Sequence, residues 1–252
     1  DTALMMRQVV RSNNKKTPHL QGKSIVTLFY ENSTRTRMSF ELASKYMSAA
    51  AANISASASS VAKGETLIDT GVTLDQMGTD VIIIRHPMSG AARLLAGHTR
   101  ASVINAGDGM NEHPTQALLD MLTMKQVFGS LEGLTVAIVG DVQHSRVARS
   151  NYWGLTTMGA KVKMAAPETL IPADMRALGV DITSDLSYAL KDADVVMGLR
   201  MQKERQQAGL VPSYREYSRF FGINEQTMQL AKPHAIVLHP GPLNRGVEMT
   251  TA

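Results

Sequence analysis

Ser33-Thr34-Arg35-Thr36-Arg37 crowds three hydroxyls and two guanidiniums into five positions, between an apolar run and a helical pattern. One hydroxyl is enough to cap a helix. A helix start already offers free N–H groups and the positive end of the peptide dipoles, so the surplus makes a cradle for a phosphate-like anion. Helix capping with surface arginines is the plainer alternative. Arg85-His86-Pro87 follows the apolar run Val81–Ile84 and so stands at a strand's carboxyl end, the edge where open α/β sheets hold ligands. His113-Pro114-Thr115-Gln116 joins a strand to a helix. His113 has three possible uses: metal ligand, acid–base group or donor to a carbonyl. The first is disfavoured, because the chain has no His-x-x-x-His pair and no cysteine. Gln116 falls on the same helical face as His113. Together they suit a planar amide-like group, one side chain donating to its oxygen and the other accepting from its nitrogen.

The second half repeats the pattern of charge at strand ends. Gly140-Asp141-Val142-Gln143-His144-Ser145-Arg146 follows a strand but lacks the G-x-G-x-x-G glycines of a dinucleotide site. Arg146 opens the next helix, where it suits a carboxylate. Leu199-Arg200-Met201-Gln202-Lys203-Glu204-Arg205 is a second charged strand end, with an ordinary polar loop as the alternative. His239-Pro240-Gly241-Pro242 sets a constrained loop whose carbonyls can face a cleft. Lys63, in the loop Ser59-Ser60-Val61-Ala62-Lys63-Gly64-Glu65-Thr66, reads by itself as a solvated lysine. Arg35, Arg85, Arg146, Arg200 and Lys63 taken together call for a ligand set with several negative charges, a phosphate plus carboxylates. There is no G-x-S-x-G elbow and no metal set. The expected chemistry is group transfer by positioning and electrostatics, without metal or cofactor.

These residues need a scaffold of sheet edges. Strands are expected at Ser24–Phe29, Asn53–Ala56, Val81–Ile84, Val103–Asn105, Leu134–Gly140, Lys161–Ala165, Val195–Leu199 and Ala235–Leu238. Helices are expected over Thr34–Ala50, Glu65–Met77, Ala91–Ala96, Pro114–Phe128, Arg146–Met158, Pro172–Leu178, Asp185–Leu190, Ser213–Phe220 and Glu225–Leu230. The alternation predicts an α/β protein of two doubly wound domains, each a mainly parallel sheet flanked by helices, with the active site in the cleft between them. The 252 residues, 44% hydrophobic and 19% charged, suit a globular chain with a sizeable core. No apolar run approaches the roughly 20 residues of a membrane span. Asp1-Thr2-Ala3-Leu4 shows no signal-peptide character, and the absence of cysteine fits a cytoplasmic setting. A net charge of +4 from scattered basic residues, with few aromatics, favours a small anion over nucleic acid.

Over essentially its whole length the chain resembles the aspartate/ornithine carbamoyltransferases. The resemblance is carried by Ser33-Thr34-Arg35-Thr36-Arg37, Lys63-Gly64-Glu65-Thr66, Arg85-His86-Pro87, His113-Pro114-Thr115-Gln116 and Arg200-Met201-Gln202-Lys203-Glu204-Arg205. It implies a carbamoyl-phosphate-binding domain at 1–125, an aspartate-binding domain at 126–252, and a homotrimer with active sites between subunits. It implies no cofactor, and is compatible with a regulatory or pathway-enzyme partner chain. By motif, Ser33, Thr34, Arg35 and Thr36 hold the phosphate of carbamoyl phosphate. Thr36, Arg85 and His113 polarise its carbonyl, and these three with Arg35 form the catalytic set. Gln116 and the carbonyls of Pro240 and Gly241 hold its NH2. Arg146, Arg200 and Gln202 position the acceptor, Glu204 orients Arg200, and Ser59 and Lys63 reach in from a neighbouring subunit. The implied reaction is carbamoyl transfer to L-aspartate in pyrimidine biosynthesis.

Aspartate is favoured over ornithine because ornithine enzymes of the family carry a Cys in a His-Cys-Leu-Pro loop, where this chain has His239-Pro240-Gly241-Pro242. The arginine-rich second half also suits a dicarboxylic acceptor. A carbamoyltransferase for another amine and a non-catalytic partner-binding relative are the rival readings. Against the family's pattern, the chain is expected to begin part-way into the first helix and to stop before the helix that returns to the first domain.

Overall fold

The computed structural model describes residues 2–55, 64–202 and 210–250. The chain divides into two compact units, Asp1–His113 and Pro114–Ala252. In the first, α1 (Thr2–Arg11) precedes β1 (Ser24–Phe29), α2 (Thr34–Tyr46), β2 (Ala50–Ser55), α3 (Leu67–Gln76), β3 (Val81–His86), α4 (Ala91–Ala96) and β4 (Ser102–Asp108). The strands form one all-parallel sheet in the order β2-β1-β3-β4. A central parallel strand is covered on both faces, which is why β1 and β3 are nearly unbroken Ile, Val, Leu and Phe. Their side chains alternate between the faces. Val26, Leu28, Ile82 and Ile84 pack with Leu74, Ala91 and Leu95, whereas Ile25, Phe29 and Ile83 join Ala106, Leu20 and Phe40. Strand order reverses between β1 and β3, so the loops leaving these two strands diverge and leave a crevice at their carboxyl ends.

The second unit contains α5 (Pro114–Phe128), β5 (Thr135–Val139), α6 (Arg146–Thr157), β6 (Lys161–Ala165), α7 (Ala173–Ala177), β7 (Asp181–Thr183) and α8 (Leu186–Leu190). It continues with β8 (Val195–Gly198), α9 (Tyr214–Phe221), α10 (Glu225–Met228) and β9 (Ile236–Leu238). Its sheet is again all parallel, in the order β7-β6-β5-β8-β9, and reverses between β5 and β8. Among the described residues, no helix is long and apolar enough to cross a membrane.

Several boundaries differ from the sequence reading for physical reasons. The helix expected to reach Ala50 ends at Tyr46, and the strand expected from Asn53 already begins at Ala50. Ser48 turns the chain with φ 63°, and parallel pairing of Ala50 with Ser24 and Ala52 with Val26 overrides alanine's helical preference. The strand β3 extends past its apolar run to include Arg85, which registers opposite Phe29. The three-residue edge strand β7 carries too little pattern to be read from sequence. α1 has no buried residue and was not among the helices read from the residues; only the family resemblance pointed to it.

Candidate active site

In the first unit, the loop from β1 delivers Ser33 as the N-cap of α2, yet its side chain makes no capping hydrogen bond. The first turn of α2 contains no acidic residue and instead carries Arg35 and Arg37. Cations at the positive end of a helix are unfavourable unless an anion sits with them. Arg37 is diverted: its guanidinium lies 5.4 Å from the centre of the Phe29 ring. Arg35 is exposed, and Thr36 beside it is half-buried. The helix end therefore presents backbone N–H groups, hydroxyls and one outward guanidinium, the ingredients of an oxyanion site.

Arg85 comes from the neighbouring strand end. Its Nε donates to Glu31 Oε2 at 3.1 Å and its Nη1 to the Ala106 carbonyl at 3.2 Å, with 12% of the side chain exposed. Glu31 was not singled out from sequence, where it is an ordinary loop acid. The register that sets Phe29 beside Arg85 brings it within reach two residues later.

His113 is half-buried at the end of a loop folded around one carboxylate. Asp108, 2% exposed, accepts from Gly90 N at 2.7 Å, Glu112 N at 2.9 Å, Asn105 Nδ2 at 3.1 Å and Asn111 Nδ2 at 3.2 Å. The loop needs glycine at its turn. Gly109 has φ +54°, and a Cβ there would lie 2.7 Å from Ser89 Oγ, 2.8 Å from Ser89 N and 2.9 Å from Pro87 O. Left-handed backbone costs an L-residue about 1–2 kcal/mol, and overpacking adds about 1–3 kcal/mol. Gly109→Ala is expected to lose about 2–5 kcal/mol in urea unfolding; an unmoved midpoint would count against this account of the loop.

In the second unit the loops leaving β5 and β8 are tied by buried acids. Asp141, fully buried, accepts from the His144 ring at 2.8 Å through Oδ1 and from Gln202 N at 3.3 Å through Oδ2. Glu248, 1% exposed, accepts from Met201 N at 2.8 Å and Asn244 N at 2.7 Å. The backbone on both sides of Arg200-Met201-Gln202 is thereby held. Ser145 caps α6 by accepting from Ala148 N at 3.2 Å, which makes Arg146 the first helical residue. Arg146 is 5% exposed, in a first turn without an acid. A buried cation at a helix start suits an anionic ligand. Past β9, the His239 Nδ1 accepts from Gly241 N at 2.9 Å and so fixes the Pro240-Gly241 segment.

Gln116 lies in the first turn of α5. Its Nε2 donates to Asp120 Oδ1 at 2.9 Å, and Asp120 Oδ2 accepts from Asn151 Nδ2 at 2.9 Å. Burial pushes the Asp120 carboxyl up to about 6, against the pull of the Asn151 and Gln116 donors.

Of the residues singled out from sequence, Ser33, Thr34, Arg35, Thr36, Arg85 and His113 belong to the first unit, all on loops or ends at the carboxyl edge of its sheet. Arg146, Arg200, Gln202, Pro240 and Gly241 occupy the carboxyl edge of the second sheet, and Gln116 is on that unit's first helix. Ser59, Lys63 and Glu204 lie outside the described residues. Asp108, Asp141 and Glu248 had no role in the sequence reading. Their partners come from other loops, and only the fold brings those together.

Residues 1–126 match the carbamoyl-P binding domain of the aspartate/ornithine carbamoyltransferases, and residues 132–252 match their Asp/Orn binding domain. The chain belongs to the aspartate/ornithine carbamoyltransferase family. Within that family it is 68% identical to the aspartate carbamoyltransferase catalytic subunit of Ruminiclostridium cellulolyticum, over all of this chain and 80% of the relative. The catalytic subunit of the same name from Acetivibrio thermocellus is 67% identical, over all of this chain and 81% of the relative. Among solved structures of this carbamoyltransferase family, Trypanosoma cruzi aspartate transcarbamoylase with carbamoyl aspartate and phosphate superposes with TM-score 0.86. That match is 35% identical and covers 99% of this chain and 81% of the other. Ornithine carbamoyltransferase from Pyrococcus furiosus matches with TM-score 0.83 and 29% identity, over 99% of this chain and 81% of that one. Members named for either acceptor thus share this fold, and the acceptor must be argued from side chains and from sequence relatedness.

Proposed function

We propose that the protein transfers the carbamoyl group of carbamoyl phosphate to the amine of L-aspartate, giving N-carbamoyl-L-aspartate and phosphate. The observation that carries this reading is 68% identity over the whole chain to a catalytic subunit named for that activity. Residues 1–125 serve as the carbamoyl-phosphate domain and 126–252 as the aspartate domain. Ser33, Thr34, Arg35 and Thr36 take the phosphate at the start of α2. Arg85, held by Glu31 and the Ala106 carbonyl, joins Thr36 and His113 in donating to the carbamoyl oxygen. Gln116 and the Pro240 and Gly241 carbonyls accept from its nitrogen, and Arg146, Arg200 and Gln202 orient the two carboxylates of aspartate.

The aspartate amine lone pair attacks the carbamoyl carbon, and negative charge grows on the oxygen facing Thr36, Arg85 and His113. Donors fixed beforehand stabilise that charge without reorganising. The bond from carbon to the phosphate oxygen then breaks with its electron pair leaving on phosphate, which takes up the amine proton. The active assembly is a homotrimer in the cytoplasm, with Ser59 and Lys63 supplied by a neighbouring subunit.

The test offers aspartate and ornithine in parallel with carbamoyl phosphate. A ureido product from aspartate alone is expected. Product from ornithine would overturn the acceptor assignment, and no product from either would overturn the reading as a carbamoyltransferase.

A further inference from the structure

We infer that Asp120 is a positioning residue that fixes the amide of Gln116 with its nitrogen turned into the protein, leaving the oxygen as the end that meets the carbamoyl nitrogen. The inference rests on the carbamoyl-transfer reading above for what Gln116 meets, but not for how Gln116 is held. Gln116 and Asp120 are one turn apart on α5, and Asn151 approaches the same carboxylate from α6. Each Asp120 oxygen takes one of the two amides, both at 2.9 Å.

The Asn151 orientation is set twice over, because its Nδ2 also donates to the Val147 carbonyl at 3.1 Å. With one oxygen of Asp120 engaged in this way, the other faces Gln116. An ionised carboxylate accepts only, so it selects the Gln116 rotamer that presents N–H. A flipped amide would set oxygen against oxygen. An amide has a single acceptor atom, so committing its nitrogen decides what it can recognise: a donor such as the carbamoyl NH2.

The location gives this arrangement a cost that needs an explanation. Asp120 is 6% exposed and Asn151 fully buried, within the packing of α5 on α6. A carboxylate there forfeits hydration that an apolar side chain would never have needed. A device that distinguishes the two ends of one amide accounts for it, since an acceptor-only group can do so where a hydroxyl or a second amide, which both donate and accept, cannot. The elevated proton affinity of Asp120, about 6, still leaves it ionised at pH 8.

The first experiment is a double-mutant cycle of Asp120→Asn and Gln116→Ala, read as separate kcat and KM for carbamoyl phosphate. Asn at 120 can turn its own N–H2 toward Gln116 and so favours the flipped amide. Asp120→Asn is expected to raise the KM for carbamoyl phosphate about 10–100-fold, the loss that accompanies a mispaired buried hydrogen bond. In the Gln116→Ala background the same substitution should change that KM less than about twofold, because its route of action is gone. An unchanged KM in the single variant, or equal losses in both backgrounds, would overturn the inference.

The second experiment needs no variant at position 120 to fold. In 15N-labelled protein, the Gln116 side-chain amide, assigned by its disappearance in Gln116→Ala, should show one proton shifted downfield of the exposed-glutamine range and slow in exchange with solvent. Shifts and solvent exchange like those of exposed glutamines would overturn the inference. A protein that transfers no carbamoyl group but shows the held amide would refute the functional reading and leave the Asp120–Gln116 coupling standing.

Discussion

His113→Ala is expected to lower turnover by about 10²–10³-fold, the usual loss when one preorganised donor to a developing oxyanion is removed. His113 ends a loop whose backbone is held by Asp108, so the substitution should leave the loop in place. Substrate binding is then expected to change far less than kcat. Arg85→Ala should lose a similar factor in turnover with a stability cost besides, because the guanidinium also bridges Glu31 and the Ala106 carbonyl. Arg85→Lys keeps the charge but not the planar fork and is not expected to restore activity. Unchanged kcat in His113→Ala, with carbamoyl phosphate binding intact, would remove His113 from the oxyanion site.

The second large effect belongs to the acceptor side. Arg146→Ala should raise the KM for aspartate about 10–100-fold, as expected for a lost hydrogen bond between charged groups in a buried setting. The KM for carbamoyl phosphate should stay within about twofold, since Arg146 is assigned to the carboxylates of the acceptor alone. The separation of the two KM values is the informative result. Arg146 is buried at the start of α6, and Ser145 rather than Arg146 caps that helix. Truncation therefore leaves the cap and removes the cation. An aspartate KM unmoved by Arg146→Ala, or a loss shared equally by both substrates, would mean that Arg146 serves the fold and not the acceptor.

The α/β class, the parallel sheets and the strand ends that carry the arginines can be read from the chain without the structure. A central parallel strand must be apolar on both faces, and runs such as Ile25–Phe29 and Val81–Ile84 leave no other reading. The helix start at Thr34 was equally legible, because a capping position and the pattern that follows it are local in the chain. The start of β2 at Ala50 and the edge strand β7 were not. Alanine favours helix until a neighbouring strand captures it, and three residues show no period.

What holds the site residues in place became visible once the chain was folded. Glu31 is 54 residues from Arg85, Asp141 is 61 from Gln202, and Glu248 is 47 from Met201. Which acid meets which loop depends on the strand orders β2-β1-β3-β4 and β7-β6-β5-β8-β9. Residue type and spacing mark a charge at a strand end, but a hydrogen bond also needs two strand ends made neighbours. That adjacency is set by the packing of whole elements and is written in no single segment of the chain.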